Sequence, residues 1–250
     1  MTDIFELADA LGPLKTIQVH VPSAGLRGVL VVDNVAIGPS IGGLRMAEDV
    51  STEECFRLAR AMTLKNAAAG LPHGGGKSVV YGDPKMPKRD KQRLLRAFAS
   101  ALRNTEEYIF GPDMGTDEEC MAWVHDEIGR AVGLPPELGG IPLDQIGATG
   151  FGVKHATEVA LEYCDFPLQG ARLVVQGFGA VGMHAARFLT DQGAILVGAA
   201  DSCGSIHNPD GLDGSKLFEL KSCGADLRAY ADAEKVGRED VVEFACEMWI

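Results

Sequence analysis

The chain has 250 residues, of which 46% are hydrophobic and 23% charged, and its formal net charge is −12. This length suits one or two globular domains, and the acidic balance argues against nucleic acid or an anionic membrane surface as a partner. No apolar run is long enough to span a membrane, and the N-terminus lacks the basic-then-apolar order of a signal peptide. The six cysteines form no C-x-x-C pair and no histidine cluster has ligand spacing, so we expect reduced thiols, no metal site and a cytoplasmic location.

The first predicted elements are two strands within residues 16–32, separated by a turn at Pro22 and Gly25. The run GPSIGGLRM follows at residues 38–46. Its paired glycines, Gly42 and Gly43, indicate either a close approach of the backbone to another group or an ordinary loop. Taken alone, this pattern favours the loop.

A helix is predicted next, from a capping box at Ser51 and Glu54 to a stop at Gly70. One side of this helix is mostly apolar and carries a single charge, Lys65. A charge in that setting faces a pocket as readily as it faces solvent. The apolar members of this side are Leu58, Ala61 and Met62.

From Lys65 to Pro84 the chain reads KNAAAGLPHGGGKSVVYGDP, with a second lysine, Lys77, after three glycines. The glycines form a predicted turn, and the β-branched run after Lys77 predicts a strand. Glycines let the backbone come close to a ligand, and two ammonium groups facing one pocket lower the pKa of at least one. Such a lysine becomes a proton-accepting amine near neutral pH. A phosphate-binding P-loop is excluded, because its first glycine would fall at Leu71 and the order here is helix, turn, strand.

Three further segments complete the first half. Residues 88–103 predict a basic amphipathic helix with one face in solvent. The apolar run from Tyr108 ends in a Pro-Asp turn, where Asp113 is by position alone an ordinary turn or N-cap residue. The loop 133–150, rich in glycine and proline, indicates a hinge between two domains.

The second half carries a dinucleotide-binding pattern. A helix predicted over residues 151–170 leads to a buried strand at 171–176, a G-x-G-x-x-G turn, a helix to Asp191 and a strand that ends at Asp201. In this context the motif predicts a pyrophosphate at the helix N-terminus and a ribose 2′-hydroxyl on Asp201, the alternative for Asp201 being a strand-end turn residue. The predicted cofactor-binding residues of the turn are Gly177, Phe178, Gly179, Ala180, Val181 and Gly182.

The chain ends in EMWI, which reads as a buried strand with nothing after it. A dinucleotide fold needs a second mononucleotide half, so the sequence indicates a truncated or shortened form. We expect an α/β protein with a substrate and oligomerisation domain over 1–145 and an incomplete Rossmann domain over 146–250.

The residues LPHGGGKSVVYGDP, from Leu71 to Pro84, resemble the lysine signature of the glutamate/leucine/phenylalanine/valine dehydrogenases. The resemblance covers the chain from about Gly25 onward. It implies reversible oxidative deamination of an L-amino acid: a hydride passes from Cα to NAD(P)+, and water converts the iminium to a 2-oxo acid and ammonia. It also implies a homo-oligomer with a small-molecule substrate.

The resemblance assigns roles to four residues. Lys65 in TLKNA matches the lysine that binds the α-carboxylate, and Lys77 matches the catalytic lysine that activates the attacking water. Asp113 in GPDMGT matches the proton-transferring aspartate, which replaces the turn interpretation, and Thr149 in ATGFG matches a residue near the nicotinamide.

Two positions bear on the substrate. Glutamate-specific relatives carry a lysine just before the paired glycines and a glutamine three residues before the carboxylate lysine, where this chain has Ile41 and Met62. An apolar pocket does not hold a second carboxylate without a counter-charge. The pair therefore favours a leucine-, valine- or phenylalanine-type substrate. The predicted substrate-binding residues are Lys65, Ile41, Gly42, Gly43 and Met62.

Other features leave alternatives open. The segments QGFGAVG and DSCGSIHNPDGLD resemble the glutamate enzymes more, so a glutamate dehydrogenase is one alternative. Ala180 also departs from an asparagine common in the family. A catalytically silent regulatory subunit with the same fold is another alternative. For the cofactor we expect NAD rather than NADP, because Asp201 would repel a 2′-phosphate and residues 202–205 include no arginine or lysine.

Overall fold

A computed structural model describes residues 4–250 of the chain. The chain forms two compact units, one extending to Pro142 and the other spanning Leu143–Ile250. The sequence places a domain boundary after residue 145, and the roles assigned to the two domains remain predictions. Across the described residues, no helix combines the length and apolarity needed to cross a membrane.

The first unit is built on a five-stranded sheet in the order β1-β2-β4-β3-β5. Its strands are β1 (Lys15–Val21), β2 (Leu26–Val32), β3 (Ser40–Ala47), β4 (Gly74–Tyr81) and β5 (Tyr108–Pro112). Its α-helices are α1 (Thr52–Ala68), α2 (Lys88–Ala101) and α3 (Glu118–Ile128). The predicted pair of strands within 16–32 is confirmed, because β1 and β2 pair antiparallel from Lys15↔Val32 to Val21↔Leu26.

Helices cover both faces of this sheet, as the two-residue alternation of the strands requires. On β2, Val29 and Val31 pack with Phe56 of α1, whereas Leu30 belongs to the larger cluster that includes Phe98 of α2. The predicted helices at 51–70 and 88–103 are confirmed within a few residues.

The segment that the sequence alone favours as a loop, residues 38–46, is instead the inner strand β3, parallel to both β4 and β5. The three glycines at 74–76, predicted as a turn, likewise belong to a strand, β4. Glycine is a poor strand former, but close packing explains its presence here. A Cβ on Gly42 would lie 1.7 Å from the carbonyl oxygen of Gly76, so only glycine lets β3 and β4 pair at this point.

The second unit has a sheet in the order β10-β6-β7-β8-β9. The strands are β6 (Arg172–Gln176), β7 (Ile195–Asp201), β8 (Gly204–His207), β9 (Glu234–Val236) and β10 (Met248–Trp249). The α-helices are α4 (Leu143–Ile146), α5 (Ala148–Leu161), α6 (Ala180–Thr190) and α7 (Gly214–Ser222). β6 pairs parallel with β7 and β10, which confirms the predicted strand–turn–helix–strand unit, while β8 and β9 add antiparallel pairs.

The helix predicted over 151–170 is shifted and shorter. Helix α5 starts at Ala148, directly after Gly147 in the left-handed conformation (φ 74°), and ends at Leu161. Residues beyond Leu161 form turns that lead to β6. As a result Thr149, predicted in a loop, lies in the first turn of a helix.

Helix α6 carries a buried histidine, His184, whose ring stacks on Phe188 and meets Phe218 edge-on. Neither ring nitrogen has a hydrogen-bond partner among the described residues. Gly147 packs directly on this ring, since a Cβ there would lie 2.3 Å from Nδ1. Burial, helped by Arg187 and opposed by Asp144, lowers the pKa of His184.

Candidate active site

Most of the predicted substrate-side residues lie on one face of the first sheet. Side chains alternate along a strand, so Ile41, Gly43 and Arg45 of β3 point to the same face. The β3–β4 register pairs Ile41 with Gly75 and Arg45 with Val79, which puts Lys77 of β4 on that face as well. Helix α1 packs against this face.

Lys77 and Asp113 form an ion pair. The Lys77 Nζ lies 2.8 Å from Asp113 Oδ2, and the side chains are only 6% and 21% exposed. Burial lowers the pKa of Lys77, although the pair with Asp113 opposes the shift. Burial would raise the pKa of Asp113, but its bonds to Lys77 and Arg45 hold it below its usual value. The lysine therefore releases its proton more readily than a surface lysine, next to an ionised carboxylate.

Glycine lets the backbone of β3 and the helix α1 pack closely around this pair. A Cβ on Gly43 would lie 2.6 Å from Asp113 Cβ and 3.1 Å from Lys77 Nζ. A Cβ on Gly75 would lie 2.0 Å from the backbone nitrogen of Thr63, so Gly75 lets α1 pack closely on β4. The backbone at these glycines therefore approaches protein groups closely, whereas a close approach to a ligand stays a prediction.

Asp113 is held in place by the turn that follows β5. The Thr116 hydroxyl accepts a hydrogen bond from the Asp113 backbone N–H (3.0 Å) and donates one to the Leu44 carbonyl of β3 (2.7 Å). Gly115 has φ 80° and packs against Met46, where a Cβ would lie 2.0 Å from the carbonyl oxygen. These contacts fix the carboxylate at the end of β3.

Cys55 of α1 lies beneath the lysine. Its thiol contacts the Lys77 carbonyl at 3.2 Å, and burial raises the pKa of Cys55 to about 12. The thiol is therefore neutral and unreactive at physiological pH.

The remaining predicted substrate-binding residues belong to α1 and β3 of the same unit. Lys65 in the last turn of α1 is exposed, and within residues 4–250 no carboxylate pairs with its ammonium. Ile41 and Met62 are half-buried, so part of each side chain is accessible. Gly42 is buried and packs on Gly76, which assigns it a structural contact with β4.

In the second unit the glycine motif forms a tight turn between β6 and α6. Gly177 has φ 100°, and a Cβ on Gly182 would lie 2.2 Å from the Gly177 carbonyl oxygen. The N–H groups of Gly177 and Phe178 both bond to the Ala200 carbonyl, and the Phe178 side chain is buried. Amides for a pyrophosphate must therefore come from the exposed start of α6, at Gly179, Ala180 and Val181.

This turn fits a dinucleotide. No side chain caps α6 at Gly179, so the positive end of the helix is open to an anion. Beside it, a cleft of about 380 Å³ is lined by Gln176, Gly177, Ala200, Asp201, Ser202 and Arg238. The cleft lies at the carboxyl ends of β6 and β7, where such folds bind nucleotides.

Asp201 is at the end of β7 as predicted, but its carboxylate already has partners. Lys221 donates to Oδ2 at 2.8 Å, the backbone N–H groups of Leu227 and Cys203 also bond to the carboxylate, and its side chain is 7% exposed. Burial would raise the pKa of Asp201, but these bonds hold it below its usual value. Lys221 and Arg238 are distant from Asp201 in sequence and lie outside residues 202–205, so the sequence alone does not place them near its carboxylate.

Thr149, the residue predicted near the nicotinamide, is exposed in the first turn of α5.

Comparison with known proteins identifies the family to which the chain belongs. Residues 13–130 match the family described as "Glu/Leu/Phe/Val dehydrogenase, dimerisation domain" and residues 139–250 match "Glutamate/Leucine/Phenylalanine/Valine dehydrogenase". The NADP-specific glutamate dehydrogenase of Saccharolobus shibatae is 31% identical over 95% of the chain, and the NAD-specific glutamate dehydrogenase of Staphylococcus aureus is 32% identical over 95%.

A solved structure of the hetero-hexameric glutamate dehydrogenase of Thermus thermophilus, in a Leu-bound form, superposes on 95% of the chain with a TM-score of 0.83 and 30% identity. The chain spans 61% of that structure, and 61% and 62% of the two sequence relatives. The matches together cover nearly the whole chain, and it belongs to the glutamate/leucine/phenylalanine/valine dehydrogenase family.

Proposed function

We propose that the protein catalyses the oxidative deamination of an L-amino acid to a 2-oxo acid and ammonia with a nicotinamide dinucleotide. The observation that carries the proposal is the Lys77–Asp113 ion pair, whose lysine side chain is only 6% exposed. Family membership supports the same reaction.

Each residue then has a part in the chemistry. The dinucleotide, when bound, accepts the hydride from Cα. Lys65 pairs with the α-carboxylate, which neutralises an anion without taking part in proton transfer. Lys77, as a neutral amine, removes the proton from the water that attacks the iminium carbon, and its ammonium form then stabilises the oxyanion. Asp113 exchanges protons with the substrate nitrogen from the neighbouring position.

For the substrate we propose an apolar side chain. Ile41 shares the sheet face of Lys77, and Ile41 and Met62 are both partly accessible. Transferring a substrate side chain onto such groups contributes about 25 cal/mol per Å² of apolar area. The relatives described above are named glutamate dehydrogenases, which makes glutamate the competing candidate.

The variant Ile41→Lys separates the two substrate classes. It places an unpaired cation next to an apolar substrate, so kcat/KM for leucine should fall by about tenfold or more, equal to about 1.4 kcal/mol. The gain for glutamate should be smaller, because Met62 stays apolar. An unchanged leucine-to-glutamate ratio would mean that Ile41 only packs in the sheet.

For the cofactor we propose NAD. The Asp201 carboxylate remains at the cleft and disfavours a 2′-phosphate. Lys221 offsets part of its charge and Arg238 lines the same cleft, so the preference should be a ratio rather than an absolute exclusion. Measuring kcat/KM for both dinucleotides decides the point, and a higher value with NADP would overturn the assignment.

The central experiment assays dinucleotide-dependent 2-oxo acid formation against a panel of amino acids. Lys77→Ala should abolish turnover while the dinucleotide still binds, because the lysine and the glycine turn lie in different units. Equal loss of cofactor affinity would contradict the role of Lys77. A wild-type protein that binds the dinucleotide but turns over no amino acid would support the silent regulatory subunit.

We also propose a homo-oligomer in the cytoplasm, and light scattering of the purified chain tests the assembly.

A further inference from the structure

The Asp113 carboxylate has two cationic partners on one oxygen. Lys77 Nζ and Arg45 Nε both lie 2.8 Å from Oδ2. Within residues 4–250 both cationic partners of the carboxylate are on Oδ2, and nothing hydrogen-bonds to Oδ1. The carboxylate therefore has one oxygen committed to protein and one available to a substrate.

Arg45 has an anchor on its other side. Its Nη1 lies 2.6 Å from Glu54 Oε1, and the Arg45 side chain is 17% exposed. Glu54 is the residue predicted to complete a capping box with Ser51. Its backbone N–H does bond to Ser51, but its carboxylate turns to Arg45 instead of the helix N-terminus. The guanidinium is thus held in a fixed orientation by one acid from the turn after β5 and one from α1.

We propose that Arg45 is a positioning residue for the reaction: by sharing Oδ2 with Lys77 it prevents Asp113 from pairing fully with the lysine, and it turns Oδ1 toward the substrate. This inference rests on the proposed deamination for its purpose but not for its geometry. One carboxylate neutralises one cation, and arginine does not release its proton in proteins. The cation that loses its proton is therefore Lys77.

The other charged groups around Lys77 do not cancel this effect. The Cys55 thiol is neutral because burial raises its pKa to about 12. Glu54 partly offsets Arg45, but it lies beyond the guanidinium and is 35% exposed, so solvent screens it. Asp113 raises the pKa of Lys77, whereas Arg45 and burial lower it. Removing Arg45 should thus make Lys77 hold its proton more tightly.

The test follows the Lys77 amine directly. Lysine side-chain amines are observed by NMR during a pH titration, and the Lys77→Ala variant identifies the Lys77 signal by its loss. In Arg45→Gln the titration midpoint of Lys77 should move upward by about one pH unit, the scale expected for losing a charge a few ångströms away. Arg45→Lys keeps the charge and should restore most of the midpoint. Arg57→Gln, which removes an exposed arginine paired with Glu53 on α1, is the matched control and should change nothing.

Activity gives a second readout. In Arg45→Gln the acid limb of the kcat/KM profile should move to higher pH together with the Lys77 titration midpoint. In the same variant kcat should fall more than KM rises. A purely structural role would lower activity or stability without moving either the midpoint or the limb, and that result would overturn the proposal. A shifted midpoint in a protein without activity would uphold the geometry and refute the deamination instead.

If Arg45→Gln does not fold, Glu54→Gln carries the test. Removing the distal acid leaves the Arg45 charge less compensated, so the Lys77 midpoint should move downward, opposite to the first variant. A midpoint that stays in place or moves upward would overturn the proposal.

Discussion

A single methyl group at Gly43 would press against the Lys77–Asp113 ion pair. In Gly43→Ala the new Cβ would lie 2.6 Å from Asp113 Cβ, which is 0.8 Å inside the 3.4 Å limit of ordinary contact. It would also lie 3.0 Å from the Pro112 carbonyl oxygen. Gly43 does not have a positive φ, so alanine is acceptable to the backbone and the effect is purely steric.

The expected loss follows from that distance. Either Asp113 or the strand must move by about 1 Å, and a displacement of that size at a reacting group costs about 10²-fold in rate. We therefore expect kcat/KM to fall about 100-fold, or about 2.7 kcal/mol in the activation barrier. The free energy of unfolding should fall by about 1–3 kcal/mol, as for other overpacked sites.

Gly111→Ala is the matched control, because Gly111 pairs with Gly43 across the strands β5 and β3. There the new Cβ would meet Val132 at 3.6 Å, an ordinary contact distance. Steady-state kinetics and urea unfolding should be measured for both variants. If Gly43→Ala keeps wild-type kcat/KM with a normal unfolding transition, the close packing of Gly43 on Asp113 is not needed for catalysis.

Three further predictions address other parts of the chain. Gly182→Ala should weaken dinucleotide binding by about tenfold or more, measured by nicotinamide fluorescence, since its Cβ would lie 2.2 Å from the Gly177 carbonyl oxygen and distort the turn; unchanged affinity would refute the fit. Cys55 should resist a disulfide reagent at pH 8 in the folded protein and react after denaturation, because burial raises its pKa to about 12. The Asp113 pKa is below its unfolded value, so its contribution to stability is present above that unfolded value and disappears as pH falls through the folded one. Asp113→Asn should consequently reduce the loss of unfolding free energy at acid pH. An unchanged pH dependence of the unfolding free energy would exclude this contribution.

The elements with strong periodicity were predictable from sequence. The antiparallel pair β1–β2, the helix α1 with its Ser51 cap, and the β6–turn–α6–β7 unit all follow from local pattern. Short or polar elements did not follow, because β8 and β9 depend on pairing with each other and with β7. Local propensity also fails for β3 and the start of β4, where close strand packing overrides the poor strand preference of glycine.

Some residues of the site could likewise be predicted from a local motif, and others could not. Lys77 and Asp113 follow from the family signature, and the structure brings their side chains into contact. Arg45 was visible only as part of a glycine run, because its partners Asp113 and Glu54 come from the turn after β5 and from α1. Lys221 and Arg238 were missed for a related reason, since folding alone brings them to Asp201 and its cleft. Long-range contacts of this kind leave no local trace in a sequence.

The unpartnered His184 ring gives the two units different responses to acid. Neither ring nitrogen has a hydrogen-bond partner among residues 4–250, and burial lowers the folded-state pKa although Asp144 opposes the shift, so the unfolded chain binds the proton first. Stability contributed by neutral His184 is complete above the unfolded pKa, about 6.5, and declines as pH falls below it. The carboxylate at Asp113 in the first unit begins to lose its contribution only near pH 4. Mild acid should therefore lower the free energy of unfolding through His184 at a pH where the contribution of Asp113 is still present.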